Sequence, residues 1–489
     1  MFRAKLLLLS LLISAGLQAQ TFNDALRYSQ LDMSGTGRFM GVGASMSSLG
    51  ADFSSAFTNP AGMAYFRRSE ITFTPGFLSA KTESTLKSNN PSTIDGSNNN
   101  FRLANAGLTL ASEPRTGKWK TVNFGIGLNR MANYQQEFFY EGRTSGSIVD
   151  RFTALADGLT PNQLDDFEAG LAFDVGAIFG PDIDGLYFND FLNAPDHSVL
   201  KRQLVRYGGY SNELGISLAG NYDEKLMIGA TIGIPFYSFN HVKTYEEIDV
   251  AEEVPIFNNL TYREFLRASG SGFNMKFGLI YAVTQTTRVG LSMHTPTFLR
   301  ISENFSSDLT YNFTENNQTS NLSSASPEGQ FEYRVTTPFR VSGGVGSIIG
   351  GRGFLSADVE YVDYRSALFR FRSNDIADRQ YEQELNNDIR DRLKSAVNIR
   401  FGGELAGENW RVRGGLFMDA SPFFNDNSYN FGYSAGAGLR ERNFFLDIAY
   451  VVRTRNELYS PYLLDDNNQP NVENKINISQ LLLTIGFKI

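Results

Sequence analysis

Cysteine is absent from this 489-residue chain. Its absence excludes disulfides, thiolate metal sites and a lipid anchor attached through cysteine. Histidine is scarce: His197, His241 and His294 are the only three, and no two stand at the spacing of a metal or haem ligand pair. Positive charge is not in excess either. The 44 Lys and Arg are outnumbered by 52 Asp and Glu, for a formal net charge of −8, which argues against the basic footprint that nucleic acid requires. Long uncharged apolar runs are missing beyond the N-terminal stretch, so no membrane-crossing helix is predicted. Motifs of catalysis are missing too. There is no Gly-x-Ser-x-Gly elbow. The Gly-rich run at 35–41 follows no strand and opens no βαβ unit, so it is not a nucleotide loop. Asp182-Ile183-Asp184-Gly185 lacks the full spacing of a calcium loop. No enzyme, cofactor or metal is predicted.

What is present suits many strands and tight turns: 46 Gly, 40 Phe and 22 Tyr. Arg3 and Lys5 followed by an apolar run at 6–13 and small residues at 15–20 read as an export signal, 1–20. Phe22, Ala25 and Leu26 predict a short helix capped by Thr21 or Asn23. The stretch 35–64 is then small, Gly-rich, mildly apolar and almost uncharged. It is too short for a domain and too apolar for a solvated tail, so it must be packed inside something else.

From residue 69 onward the pattern has period two. Leu481, Leu483, Ile485, Phe487 and Ile489 alternate with Gln480, Thr484, Gly486 and Lys488. Ile228, Ala230, Ile232, Ile234 and Phe236 alternate with Gly229, Thr231 and Gly233. Trp410, Val412, Leu416 and Met418 alternate with Arg411, Arg413 and Asp419. A soluble sandwich alternates too. Three features point instead to the membrane: long strands, charges at mid-strand on the polar face, and aromatic residues near strand ends. About fourteen strands are predicted between 70 and 489, joined alternately by short turns and long polar loops, the arrangement of an outer-membrane barrel. The fold class is therefore all-β: a transmembrane antiparallel barrel over 69–489, with 21–68 as a plug in a lumen too wide for its own side chains to fill. On this assignment the N-terminal segment enters from the periplasmic side.

The run from Gly37-Arg38 through Ala51-Asp52 to Phe57-Thr58-Asn59-Pro60-Ala61-Gly62-Met63 resembles the N-terminal hatch of the FadL/TodX family of outer-membrane transporters. The resemblance implies passive uptake of a hydrophobic small molecule, a hatch that shifts, and lateral exit through a gap made by a kinked strand. It maps Asn59, Pro60, Ala61 and Gly62 onto the hatch, and the third strand with Gly125 and Gly127 onto the kink. Lateral exit spares an apolar molecule rehydration. Asn59-Pro60-Ala61 equally fits a plain turn into the first strand, since Pro fixes φ and Asn bonds its own backbone.

Among the lumen charges, Arg400, Arg411 and Arg413 are candidates to orient a ligand carboxylate. Asp358, Glu360, Glu404, Asp419 and Asp447 lie on neighbouring strands, so a mutual salt-bridge network is the competing role. The long loop 136–208 carries a predicted helix starting at Thr160-Pro161, with Leu164, Phe167 and Leu171 as an apolar stripe for a ligand groove or a partner protein. The family also contains non-transporting, PorV-like accessory barrels that bind envelope proteins. A transporter should hold a Phe- and Leu-lined cavity beside 59–61. An accessory barrel should show a filled lumen and an apolar patch near Leu164 and Phe167. Predicted partners are the outer-membrane bilayer of a Gram-negative cell and a hydrophobic ligand, with no nucleic acid.

Overall fold

The structure, a computed structural model, describes residues 22–194, 197–373, 375–464 and 469–489. The export signal predicted at 1–20 lies outside the described residues. Nineteen hydrogen-bonded segments form one antiparallel sheet. They make fourteen wall strands, because four strands are interrupted. In chain order these are β1 (Glu70–Leu86), β2 (Thr93–Ser112), β3 (Trp119–Asn133 continued by Gln136–Thr144), β4 (Val199–Tyr222), β5 (Leu226–Ile248), β6 (Phe257–Ala282) and β7 (Thr287–His294 continued by Phe298–Glu315). There follow β8 (Gln318–Ala325, Gly329–Thr336 and Arg340–Ile348), β9 (Gly353–Asp363 continued by Leu368–Phe371), β10 (Ser395–Ala406), β11 (Trp410–Ala420), β12 (Tyr429–Arg440), β13 (Phe444–Tyr459) and β14 (Val472–Lys488). Strand β14 returns to β1, from Lys488 opposite Glu70 to Val472 opposite Leu86, and closes the barrel. The expected fourteen strands and their alternating connectors are present.

The wall is apolar outside and polar inside. On β14, Leu481, Leu483 and Phe487 are exposed while Gln480 and Thr484 are buried. On β5, Ile228, Ile232 and Phe236 are exposed and Thr231 is buried. Lumen-side Glu213, Lys276, Arg413 and Asp447 are nearly inaccessible. A soluble sheet has the opposite sidedness. A continuous belt of exposed Leu, Ile, Val and Phe is stable only against hydrocarbon. Leu482 departs from the alternation: it faces inward, against Gly76 of β1.

Strands β4, β5 and β6 are 24, 23 and 26 residues long, about twice what a tilted membrane strand needs. Their outer ends, with loop residues, enclose a dry cluster containing Val149, Phe152, Leu171, Tyr245, Leu260 and Tyr311. Among the described residues five helices accompany the wall: α1 (Phe22–Ser29), α2 (Gly37–Gly41), α3 (Ile148–Ala156), α4 (Ala169–Asp174) and α5 (Ile376–Arg392). The expected helix at 161–172 is broken. A 3-10 turn, Pro161–Gln163, ends at Leu164, and the Asp165 carboxylate accepts the N–H groups of Phe167, Glu168 and Ala169, which starts a new helix. Helix α5 falls in a stretch read as a polar connector, because it buries only Leu385, Asn386 and Ile389 and shows no apolar stripe.

The start of the described chain also differs from expectation. Helix α1 sits in the outer half of the lumen, not at the periplasmic mouth. Its Ala25, Leu26 and Tyr28 share a cluster with Tyr333, Phe369 and, from α5, Leu385 and Ile389. Phe22 meets the Arg392 guanidinium and the Phe423 ring. From there the chain descends toward the short-turn end, where it enters β1.

Candidate functional site

Residues 35–64 lie inside the wall and are almost entirely buried. Short capped turns build this segment. Thr36 caps α2 by accepting from the Phe39 N–H; Asp52 and Asn59 cap two 3-10 turns, Phe53–Phe57 and Pro60–Tyr65. Pro60 stands at the first position of its turn, where no N–H is needed.

Its backbone would be unsatisfied in a dry core. The polar lumen face supplies the partners. Thr484 Oγ1 accepts the Gly37 N–H at 2.7 Å and Ser434 Oγ accepts the Gly43 N–H at 3.0 Å. The Asp358 carboxylate accepts both the Ser47 N–H (2.9 Å) and the Ser47 hydroxyl (2.7 Å). Thr231 donates to the Ala56 carbonyl (2.7 Å), His294 Nε2 to the Thr58 carbonyl (2.8 Å), and Asn123 Nδ2 to the Met63 and Phe66 carbonyls (2.8 Å each). Asn59 Nδ2 donates to the Ser47 carbonyl at 2.6 Å, while its Oδ1 accepts the Ala61 N–H at 3.2 Å. The side chain of Asn59 thus clamps two turns of the segment together.

Wall glycines make the seat. A Cβ at Gly278 would lie 2.0 Å from Asn59 Oδ1, and one at Gly290 would lie 2.1 Å from the Ser47 carbonyl oxygen. Gly229 abuts the Pro60 carbonyl, Gly402 the Val42 carbonyl and Gly215 the Phe57 ring. Gly62 packs on Gly50 within the segment. Gly125 and Gly127, expected to mark a kink, face the Met63 and Phe53 side chains instead. The ladder between β2 and β3 is regular there, with Gly127 opposite Gly107 and Gly125 opposite Thr109.

The break in the wall lies a few residues further along. Pairing of β2 with β3 ends at Asn105 opposite Asn129. Beyond it β2 continues to pair with β1, while β3 shifts register against β4 between Arg130 and Ala132 and is interrupted before Gln136. A second irregularity, between Thr74 and Pro75 of β1, skips Ala104 at the same height. Among the described residues, no ladder pairing joins Arg102, Leu103 or Ala104 to β3. Proline at a strand position and bulges on adjacent strands are how a sheet opens without losing closure.

The candidate arginines have protein partners. Arg413 bonds Glu404 (2.6 Å) and Asp447 (2.7 Å). Arg400 reaches Glu360 at 3.4 Å and Asp419 at 3.8 Å. Arg411 sits at a short turn and donates to the Gly407 and Trp410 carbonyls. The salt-bridge network is therefore what the geometry brings together. Lys276 with Glu213, and Arg453 with Asp32, extend it. In the outer loop Leu171 is buried, and Phe167 packs on Phe305 at 4.8 Å. Leu164 and Leu171, with Pro161, Phe173 and Pro327, line an outer cavity of ≈ 140 Å3 that also carries Asp166 and Asp174; Phe167 is not part of it.

Between α1 and the wall is a cavity of ≈ 40 Å3 lined by Tyr28, Leu31, Met131, Glu213, Lys276 and Arg340, among others. It has room for about a water molecule. Around residues 59–61 the wall meets the segment directly. Among the described residues, neither the outer cavity nor the one beside α1 reaches 59–61.

These features define a class: a membrane-spanning β-barrel whose lumen is filled by its own N-terminal segment. No protein-family model matches the sequence, and no curated protein matches it by sequence. Solved structures do match. A FadL homologue of Pseudomonas aeruginosa aligns over 94% of this chain and 99% of its own at 12% identity, with a TM-score of 0.56. The toluene transporter TodX of Pseudomonas putida aligns over 94% and 99% at 10% identity, with a TM-score of 0.50. The chain has the fold of these outer-membrane barrels.

Proposed function

We propose that this protein is an outer-membrane channel that passes hydrophobic small molecules passively, with the segment around Asn59, Pro60, Ala61 and Gly62 as the movable element and the β2–β3 break as the lateral exit. The observation that carries this reading is the break itself. It lies beside Met131, which also lines the lumen cavity, and only an apolar solute gains from leaving through the wall into lipid. The fold's likeness to structures named as a FadL homologue and a toluene transporter supports the class of solute. The packing described is the closed state: with room for about one water, nothing larger passes until α1 or the segment moves.

One observation favours a barrel that transports nothing: the lumen is filled. Against it, two of the residues expected in a docking patch are covered, Leu171 by burial and Phe167 by packing on Phe305, while Phe179, Ile183, Leu186 and Leu192 of the same loop are exposed. A cross-link separates the two. Gly41 and Gly436 approach so closely that a Cβ on Gly41 would sit 3.4 Å from the Gly436 Cα, and the chain has no other cysteine. G41C/G436C, oxidised in proteoliposomes, should lose uptake of toluene or a long-chain fatty acid and regain it on reduction. Equal uptake in both states removes segment movement. No uptake in the wild type removes the channel.

A further inference from the structure

On the outward face of β6 to β9, directly above the apolar belt, three arginines stand side by side. The last apolar row across these strands is Phe273, Phe298, Thr336 and Leu368, each opposite the next in register. The row one step further out is Ser271, Arg300, Arg334 and Arg370, again in direct register. All three arginines are exposed. Arg372, also exposed, follows just past the end of the same strand.

Directly opposed like charges on neighbouring strands repel. Further out on the same sheet three outward arginines are neutralised across the ladder: Arg202 by Glu246, Arg206 by Glu137 and Arg263 by Asp308. Here a single carboxylate, Glu332, serves the row, held by Arg300 at 2.8 Å. Arg334 and Arg370 have no hydrogen-bond or ion-pair partner among the described residues. Arg365, on the same flank, is already held by Asp363 in a two-point pair.

We infer that this row is a binding site for the phosphate groups of an outer-leaflet glycolipid. The belt below seats acyl chains, and the guanidinium row stands where headgroup phosphates begin. Arginine suits this role, because its planar fork binds phosphate oxygens in pairs and is weakly hydrated. A soluble anion lacks the second half of the site, the Phe273, Phe298 and Leu368 surface. The inference rests on the outward face alone and is independent of what the lumen passes.

The test is native mass spectrometry of the full chain in detergent with three probes: bisphosphorylated lipid A, the same lipid without its phosphates, and inorganic phosphate. The wild type should retain the phosphorylated lipid selectively. R334Q/R370Q should weaken retention about tenfold for each bidentate arginine–phosphate pair removed. R334K/R370K should fall between, and R365Q should behave as wild type. Equal adducts with the dephosphorylated lipid, or equal retention by R334Q/R370Q, overturn the site. Displacement of the lipid by millimolar phosphate also overturns it, leaving an ion site only. If the double variant does not fold, the comparison of the two lipids on the wild type decides.

Discussion

Asp32 ties the N-terminal segment to the bend of β3: its Oδ2 accepts the Asn133 N–H at 2.9 Å, and its own N–H donates to the Met131 carbonyl at 2.8 Å. Its other oxygen holds Arg453 of β13 at 2.5 Å. One carboxylate thus links the lumen segment, the wall break and the strand network.

The Asp32→Asn substitution keeps the shape and removes the charge. Arg453 then loses its hydrogen-bonded carboxylate and keeps only the more distant charge of Asp419, at a cost of about 3 kcal/mol. The destabilisation should be local. Hydrogen exchange should quicken at 32–36 and 130–134, while the strands β10 to β12 keep their protection. A double variant, Asp32→Asn with Arg453→Gln, should recover part of the stability, measured by urea unfolding in micelles. No recovery would mean that the pair is not the coupling.

Asn59 has two jobs in one side chain, the cap on Ala61 and the clamp on Ser47. Asn59→Ala loses both, about 1 kcal/mol for the cap and a similar amount for the clamp. Asn59→Asp keeps the cap and loses the donor. Ion conductance in planar bilayers should rise in the order wild type, Asp, Ala. If all three conduct alike, these turns do not hold the lumen shut.

The seat glycines test whether the segment needs the wall. Gly290→Ala places a methyl group 2.1 Å from the Ser47 carbonyl oxygen, and backbone cannot yield as a flexible side chain would. The barrel should persist, with its heat-dependent gel mobility unchanged, while 35–64 becomes open to protease. Gly343→Ala, whose Cβ meets nothing nearer than 3.8 Å, is the control and should leave the segment protected.

The barrel was legible because its rule is repetitive. Period-two alternation at Leu481, Leu483 and Phe487 needs only local sequence, and the connector lengths reveal which end is which. The contents of the lumen were less so. Gly125 and Gly127 stand out along the chain, but only the position of Phe53 shows that they make room rather than bend. The true irregularity, at Arg130 to Ala132, has no special residue type, since register is a property of two strands at once. Helix α5 escaped because a polar helix held by Leu385 and Ile389 has no periodic stripe. Arg400 and Arg413 were found as lumen charges, yet their partners are fixed by strand register, which spacing along one chain does not carry.

The membrane itself can be tested at one position. Gly414 of β11 lies mid-strand on the outward side, between Arg413, which faces in, and Gly415, and a Cβ there would meet nothing within 4 Å. No clash can therefore explain the effect of a larger side chain; only the surrounding medium can. In hydrocarbon, Gly414→Arg should cost about 2–4 kcal/mol near the bilayer midplane, whereas Gly414→Leu should be neutral or favourable through both burial in lipid and strand preference. In water the order would reverse, because an arginine on an exposed strand is harmless and another leucine beside Val412 and Leu416 enlarges a sticky patch. Folding equilibria in lipid vesicles, read by tryptophan fluorescence of Trp410 and Trp119, give the sign directly. A stable arginine variant with a destabilised leucine variant would remove the bilayer from around this wall.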